Sequence, residues 1–495
     1  MRIVLLCPDF GEEYSRYPWL GVAYLAAVLQ EHGYATQIID AAKYRNYGDF
    51  VRDMRAMAPD VLGVSVLSVH YDKALHAARL ARECLPNLVV VFGGAHATVL
   101  PEETVRMPEV DYVAVGEGEL SFPRLIMTLE SQADVGQVQG IVYKRGEQVI
   151  RTAEADHIKD LDEVPFPARD LLPMERYLHQ APTLPLPYPA TSILPSRGCR
   201  GNCNYCQPTL RKLFGKGIRY RSPANVVDEM VLLQRKYKVR GIFFADDEPT
   251  WARDWMLALC DEIQRRGLKV KWICASRVDT IDREMLLAMK AAGCIQVGFG
   301  VESGSQAILN YYRKGVKVAR IHEAFTLCKE VGIIARMNVM IGAPIDTTAT
   351  VNETIALIRK VRPDFISVAP TTPTVGTDLF FDARQRNMLR KESLSEYDRR
   401  DISTMQRTLS DQEMKLAIKK VVKTYQRGIL ATALSPVQFW KRKYLFYHIM
   451  VHWLTMLRNP GLLVRDVLYY FRYAQKEQLD VGNGAGRPAR LEIAD

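Results

Sequence analysis

The sequence predicts an α/β fold: a doubly wound parallel sheet over residues 1–130, a second α/β unit over 191–385, and a helical region over 386–480. Three observations carry this. Short apolar, β-branched runs alternate with stretches of helical period twice along the chain, the rhythm of parallel sheets. Between the two units, over 131–190, Pro165, Pro167, Pro173, Pro182, Pro185, Pro187 and Pro189 favour an extended strap crossing a surface over a packed core. Past residue 385 only helical patterns remain.

With 495 residues the chain has room for two to four domains with cores of their own, and 48% apolar and 25% charged residues suit a soluble globular protein. No run is long and apolar enough to span a membrane. Met1–Cys7 runs into Pro8 without the basic start and cleavage site of a signal peptide. Nine cysteines without paired spacing suit a reducing compartment, the cytoplasm. The net charge of +10 comes from widely spread basic residues with no RNA-binding signature, so no nucleic-acid partner is expected.

In the first unit, Arg2–Cys7, Thr36–Asp40, Val61–Leu67, Leu88–Phe92 and Tyr112–Val115 read as strands, and Leu20–His32, Asp49–Met57 and Asp72–Cys84 as helices. Sheets of this kind bind ligands at the carboxyl ends of their strands. There stand Ser65-Val66-Leu67, Gly93-Gly94-Ala95-His96 and Gly116-Glu117-Gly118-Glu119. Gly93 and Gly94 let backbone approach a bulky ligand, although most such pairs are simply tight turns. A hairpin over Gly140–Ile150, with Gly146 in its turn, opens the strap.

The second unit begins with an apolar run, Thr191–Leu194, that leads into Cys199-x3-Cys203-x2-Cys206 on a Gly-rich polar loop. Three thiolates on a short loop can hold three corners of a four-iron cluster and leave the fourth iron open for a small molecule. A structural zinc site wants four ligands, and His179 is too far upstream to complete one. Beyond the loop, Ile242–Ala245, Val270–Ala275, Gln296–Val301, Ile333–Ile341 and Phe365–Ala369 read as strands. Polar residues follow these strands: Asp246 and Asp247, then Arg277, then Glu302 and Ser303. An aspartate there is as often a helix cap as a ligand contact, whereas Glu302 beside glycines favours function. Cys7, Cys84, Cys260, Cys274, Cys294 and Cys328 sit singly in apolar surroundings as small core residues.

The loop, with Tyr205 just before its third cysteine, closely resembles the cluster loop of radical S-adenosylmethionine (SAM) enzymes. The Ser65-x-Leu67, Gly93-Gly94 and Gly116-Glu117-Gly118-Glu119 elements together resemble the cobalamin-binding domain that precedes many of them. The resemblance covers residues 1 to about 385. It implies a partial barrel of parallel strands and a [4Fe-4S] cluster on Cys199, Cys203 and Cys206. It further implies SAM against Tyr205, Asp246, Asp247, Arg277, Glu302, Ser303 and Ile341. Cobalamin would lie against Ser65, Leu67, Gly93, Gly94, His96, Gly116 and Glu117. Two departures stand out. The loop Pro8–Leu20 has no histidine where typical cobalamin domains carry Asp-x-His-x-x-Gly, so no cobalt ligand is expected from it; His70 and His96 are read as hydrogen-bonding or surface residues. Ile345-Asp346-Thr347 stands where relatives have Gly-Glu-Thr.

The C-terminal region reads as helices over Asp411–Leu430, Pro436–Leu457 and Pro460–Glu477, with a disordered tail over 481–495. Tyr444–Leu457 would reach roughly 21 Å as a helix, short of the ~30 Å hydrocarbon core. The aromatic and basic residues of Phe439–Leu454, with Lys441, Arg442 and Lys443 beside Trp440 and Tyr444, suit equally a helix in a membrane interface or one capping the barrel. The resemblance implies a cobalamin-dependent enzyme that methylates an unactivated carbon through a 5′-deoxyadenosyl radical, and the aromatic and basic C-terminal helices suggest a hydrophobic small molecule as its substrate. A flavodoxin- or ferredoxin-type donor would supply the electron. The location expected is cytoplasmic, with peripheral contact at the inner face of the membrane left open. A radical oxidative cyclase, or another carbon–carbon bond-forming enzyme, is the alternative. A tRNA or protein methylthiotransferase would carry further cluster cysteines and an RNA-binding barrel that the sequence lacks, and a non-enzymatic cobalamin sensor would leave the thiol loop without purpose.

Overall fold

A computed structural model describes residues 1–11, 17–178, 186–398, 401–435 and Leu445. The first sheet contains β1 (Arg2–Cys7), β2 (Ala35–Asp40), β3 (Val61–Ser65), β4 (Val89–Gly93), β5 (Tyr112–Ala114), β6 (Ile141–Arg145) and β7 (Gln148–Arg151), in the order β2-β1-β3-β4-β5-β6-β7. The first five strands run parallel, with Ile3 beside Val61 and Val61 beside Val89. Both faces are covered, so these strands read as continuous apolar runs rather than alternating ones.

The hairpin assigned to the strap belongs instead to this sheet. β6 pairs antiparallel with β5, Val113 opposite Val142, and β7 closes the edge. The physical reason is that β5 is only three residues long and leaves apolar surface at the edge, which the fully buried Ile141 and nearly fully buried Val142 cover. The proline-rich strap is likewise packed rather than spread over a surface. It carries the short helix Met174–Leu178, and Leu172, Met174, Tyr177 and Leu178 enter the core of the second unit. The prolines interrupt regular structure there without removing these apolar side chains.

The second sheet has β8 (Ala190–Ile193) at one edge, then β11 (Gly241–Phe244), β12 (Lys271–Ser276), β13 (Cys294–Glu302), β14 (Ile334–Ile341) and β15 (Phe365–Pro370), all parallel. The intervening β9 (Ser196–Arg197) and β10 (Arg219–Tyr220) form a separate antiparallel pair. The six parallel strands follow sequence order and the sheet stays open, because β8 and β15 do not pair. Val297, Phe299, Val301, Met337, Val339 and Ile341 point into the helix-side core. Strand alternation therefore puts Gln296, Gly298, Gly300 and Glu302 on the other face. The helices Gly118–Glu130, Pro223–Tyr237, Gln306–Tyr311 and Asp378–Gln385 were not read from the sequence.

The C-terminal helix Asp411–Leu434 starts at a capping box between Ser410 and Glu413. It buries Met414, Ala417 and Val421 against the second unit, and the Tyr425 hydroxyl donates to Asp364 O at 2.9 Å. The predicted helices Pro436–Leu457 and Pro460–Glu477 and the tail 481–495 lie outside the described residues, apart from Leu445. Among the described residues no helix is long and apolar enough to cross a membrane.

Glu229 ties the strap to the second unit. It is fully buried and accepts from Arg169 of the strap at 2.7 Å and from Arg221. Removing its charge strands two buried guanidiniums. E229Q is expected to destabilise the fold by ~3–5 kcal/mol, read as a lowered midpoint of urea unfolding with unchanged slope.

Candidate cofactor and active site

β8 ends at the thiol loop. β9 and β10 then pair, Arg197 opposite Arg219, so that the chain between them closes into a loop holding all three cysteines. Gly198 has φ +97°, and a Cβ there would meet Gly217 O at 2.5 Å, so only glycine fits. The loop is pinned from outside: Asn204 Nδ2 donates to Tyr311 O at 2.9 Å, and the N–H groups of Asp378 and Leu379 donate to Gln207 O and Asn204 O at 2.7 and 2.9 Å.

Cys199 Sγ and Cys203 Sγ flank Gly201, 3.3 and 3.8 Å from where its Cβ would stand. None of the nine cysteines forms a disulfide. Burial pushes the Cys199 thiol up, and Glu248 and Asp247 add to this against the opposing Gly201 N–H. Bound iron is what would draw out the thiolate. Among the described residues no three His, Cys, Asp or Glu side chains converge on a single ion. A four-iron cluster gives each thiolate its own iron and asks for no such convergence. The glycine-lined recess between thiols fits that group.

Glu302 ends β13 in a left-handed conformation, φ +64°, at a register shift after Gly300. Such a backbone is costly for a residue with a Cβ and persists where surroundings impose it. Oε1 of Glu302 accepts from Lys314 Nζ at 3.1 Å and from the Tyr205 hydroxyl at 3.2 Å. A Cβ on Gly300 would lie 2.7 Å from that oxygen and 2.9 Å from Lys314 Nζ, so the glycine makes room for the pair. Burial works against the Lys314 charge, but the Glu302 carboxylate outweighs it and raises the ammonium pKa.

Asp246 Oδ2 accepts from Ser196 Oγ at 2.6 Å, while Oδ1 is shut from water without a partner among the described residues. Burial drives its pKa up to about 8. Burial also raises Asp247 and Glu248. Glu248 Oε1 accepts from Thr250 Oγ1 at 2.7 Å and from Arg277 N at 3.2 Å. The Arg277 fork is already engaged, bidentate on Asp279 at 2.9 and 2.8 Å, with Nη2 also on Lys314 O at 2.9 Å. Its Nη1 still faces the thiol loop, 3.8 Å from the Gly201 Cβ position.

The structure thus gathers Cys199, Cys203, Cys206, Tyr205, Asp246, Asp247, Arg277 and Glu302 at the carboxyl ends of β8 and β11–β13. Ser303 and Ile341 do not join them. Ser303 Oγ bonds Thr354 Oγ1 at 3.1 Å and the Ser305 N–H at 3.1 Å, which ties down a turn. The Ile341 side chain faces the helix-side core, and its carbonyl accepts from Thr371 N at 2.8 Å. Neither side chain faces the thiols, and the cause is shared: a motif places a residue at a strand end without fixing the face its side chain takes. Sequence reasoning missed Lys314 and Glu248. Glu248 continues the Asp246-Asp247 run, which could have found it. Lys314 lies 12 residues beyond Glu302, where a basic residue after a helix reads only as a cap.

At the edge of the first sheet, Leu67 is 42% exposed beyond β3. Gly94 has φ +86°, and a Cβ there would press on the Val66 backbone at 3.0 Å and on Ser65 Oγ at 3.2 Å. Gly93 precedes it at the end of β4. His96 is a core residue: Nδ1 bonds Ser68 Oγ at 3.0 Å, its ring lies 4.0 Å from Tyr71, and burial lowers its pKa to about 4. His70 is buried beside Trp19. Glu117 is turned toward Arg197 and Arg219 of the second unit at 2.7 and 2.8 Å. Its carboxylate oxygens are spoken for there. A Cβ on Gly116 would stand 3.6 Å from Lys212 O, on the same side. Asp9, beyond β1, is 2% exposed; Trp19 Nε1 reaches its Oδ2 at 3.3 Å, and the Asp40 carboxyl lies beside it. The exposed Leu67 and the close-approach glycines on one sheet edge fit a large ligand such as cobalamin.

Two family models match the chain: B12 binding domain over residues 10–126 and Radical SAM superfamily over residues 193–358. A protein of Pyrococcus horikoshii named as an uncharacterized methyltransferase is 32% identical over 435 residues, 86% of this chain and 93% of its own. The anaerobic magnesium-protoporphyrin IX monomethyl ester cyclase of Rubrivivax gelatinosus is 30% identical over 395 residues, 77% of this chain and 69% of its own. Among solved structures, the methyltransferase TsrM of Kitasatospora setae with cobalamin and a [4Fe-4S] cluster bound superposes with a TM-score of 0.68. It shares 16% identity, over 86% of this chain and 88% of that one, a likeness of fold.

The raised pKa of Asp246 has a consequence for stability. Its folded value lies above the unfolded one, so its contribution is fully present below about pH 4 and is lost as pH rises toward about 8. D246N should raise the melting temperature of the cluster-free chain at pH 8 and leave it near wild type at pH 4, measured by differential scanning calorimetry.

Proposed function

The chain belongs to the radical SAM enzymes that carry a B12-binding domain, and on that premise we propose that it transfers a methyl group to an unactivated carbon of a small molecule. The carrying observation is that a three-thiol loop, the Glu302–Lys314–Tyr205 group and the ligand edge of the first sheet are assembled around one loop neck. With the cofactors bound, the cluster and SAM supply a 5′-deoxyadenosyl radical and cobalamin a transferable methyl group. The chain's own residues bind and orient. Cys199, Cys203 and Cys206 would hold the cluster. Glu302 has one oxygen anchored by Lys314 and Tyr205, and the other has no hydrogen bond among the described residues. That free oxygen suits the hydroxyls of a ribose. Asp246, Asp247 and Glu248 offer acceptors for an ammonium, and Arg277 and Lys314 supply positive charge beside Cys203.

A methyl transfer reading is supported by the relative named as a methyltransferase, which this chain covers almost end to end. Ring closure is the second reading, favoured by the cyclase relative. A hydrophobic substrate, a flavodoxin- or ferredoxin-type donor and a cytoplasmic setting belong to the same proposal. The reason for the last two is that the cluster needs a low-potential electron and a reducing compartment.

Growing the host on methyl-labelled methionine, with wild type or C199A, separates the readings. A labelled compound lost in C199A, found by accurate mass in extracts, is the expected result; a lost compound without label would assign ring closure instead. SAM cleavage retained by purified C199A would sink both. E302Q should keep the wild-type iron content while weakening SAM binding at least ~10-fold, followed through the change SAM causes in the EPR signal of the reduced cluster.

A further inference from the structure

The thiol loop has a neck where β9 and β10 pair, and there Arg197 and Arg219 face each other. Like charges directly opposite across two strands repel. Glu117 relieves this. Its Oε1 accepts from Arg197 Nη1 at 2.7 Å and from Arg219 Nη2 at 3.0 Å, and its Oε2 from Arg219 Nη1 at 2.8 Å. The Ile158 N–H donates to Oε2 at 3.2 Å, and Glu119 takes the other arm of Arg197 at 2.7 Å. The Glu117 side chain is 2% exposed. Burial opposes its ionisation, but the two guanidiniums outweigh this and hold the carboxyl below its ordinary range. A buried ion pair is tolerated when its hydrogen bonds are complete, as they are here.

The position of this carboxylate gives it a role. Glu117 lies in the turn after β5, at the edge where a doubly wound sheet binds its ligand. Gly116 beside it, φ +82°, lets that turn rest on the helix Thr209–Phe214 of the thiol loop. Arg197 stands two residues before Cys199. One carboxylate therefore joins the ligand edge of one domain to the neck of the cluster loop of the other.

We propose that Glu117 is a positioning residue that clasps the neck of the cluster loop and fixes the cluster's distance from the cofactor held at the edge of the first sheet. The inference rests on the function proposed above. It deepens that reading, because the Gly-Glu-Gly-Glu turn then acts by holding the second domain rather than by touching cobalamin. In E117Q the amide keeps the shape of the side chain, but its NH2 end meets a guanidinium and the negative charge is gone.

The test uses the full chain, reconstituted anaerobically with iron and sulfide and loaded with cob(II)alamin. The reduced cluster and cob(II)alamin are both paramagnetic, so the cluster's enhancement of cob(II)alamin spin relaxation reports their separation. Wild type should give one narrow distance population. E117Q, read only on molecules that hold both cofactors, should give a broadened distribution with relaxation enhancement lowered at least two-fold. If E117Q fails to load both, E117D is read in its place; it keeps the charge on a shorter arm and should give a single, displaced distance. Wild-type relaxation in the variant read would overturn the clasp. A wild-type chain that took up no cob(II)alamin would overturn the underlying functional reading instead.

Discussion

Arg197 and Arg219 sit where the thiol-bearing loop leaves and rejoins the second unit, and a single carboxylate from the first domain, Glu117, bonds to both. Two guanidiniums in that position would otherwise drive the neck apart. The loop between them has little regular structure of its own beyond the helix Thr209–Phe214. Its shape therefore depends on borrowed contacts: Glu117 at the neck, Tyr311 and Tyr312 carbonyls at Asn204, and the start of the helix Asp378–Gln385 at Gln207. Every one of these partners comes from elsewhere in the chain, so the placement of the thiols depends on both units and on the segment after β15.

The charges around the thiols are laid out in two groups. Asp246, Asp247 and Glu248 follow β11, and burial raises the pKa of each. Arg277 and Lys314 approach from β12 and from the segment after β13, and each gains from the nearby Cys203. Acids on one side and cations on the other make a dipolar site. Such a site suits a ligand with a separated ammonium and carboxylate, the arrangement at the amino-acid end of SAM: the cations meet the carboxylate, and an incoming ammonium favours the ionised form of the acids that burial alone holds back. Burial makes the pairing stronger than it would be in water.

Much of this was legible in the sequence, for identifiable reasons. Parallel strands buried on both faces announce themselves as apolar runs, so the eleven parallel strands stood out, even the three-residue β5; the thiol spacing was visible too. Side-chain direction was not. Ser303 and Ile341 lie where a motif puts them, yet one is spent on a turn and the other on the core. Glu117 has the same difficulty in reverse. Its Gly-Glu-Gly-Glu setting points to the sheet edge, but the guanidiniums it meets are 80 and 102 residues away in sequence. Lys314 left no trace because a buried lysine has no periodic signature. The strap misled because proline content reports backbone, while Tyr177 and Leu178 decide packing.

Strain and strength are divided between the two ends of β13. Its early residues pair in regular register with β14 and send Val297 and Phe299 into the helix-side core. At the far end the register shifts, and Glu302 takes a left-handed backbone. That conformation costs ~1–3 kcal/mol, and it is offset locally by the Lys314 ion pair and the Tyr205 hydrogen bond. The arrangement has a directional effect. Tyr205 belongs to the thiol loop, so the strained carboxylate is steadied by the same loop that carries the cysteines. A loop that loses its shape takes away one of the two anchors of Glu302 and leaves only Lys314, which couples the ligand-binding carboxylate to the integrity of the thiol site through a single phenol.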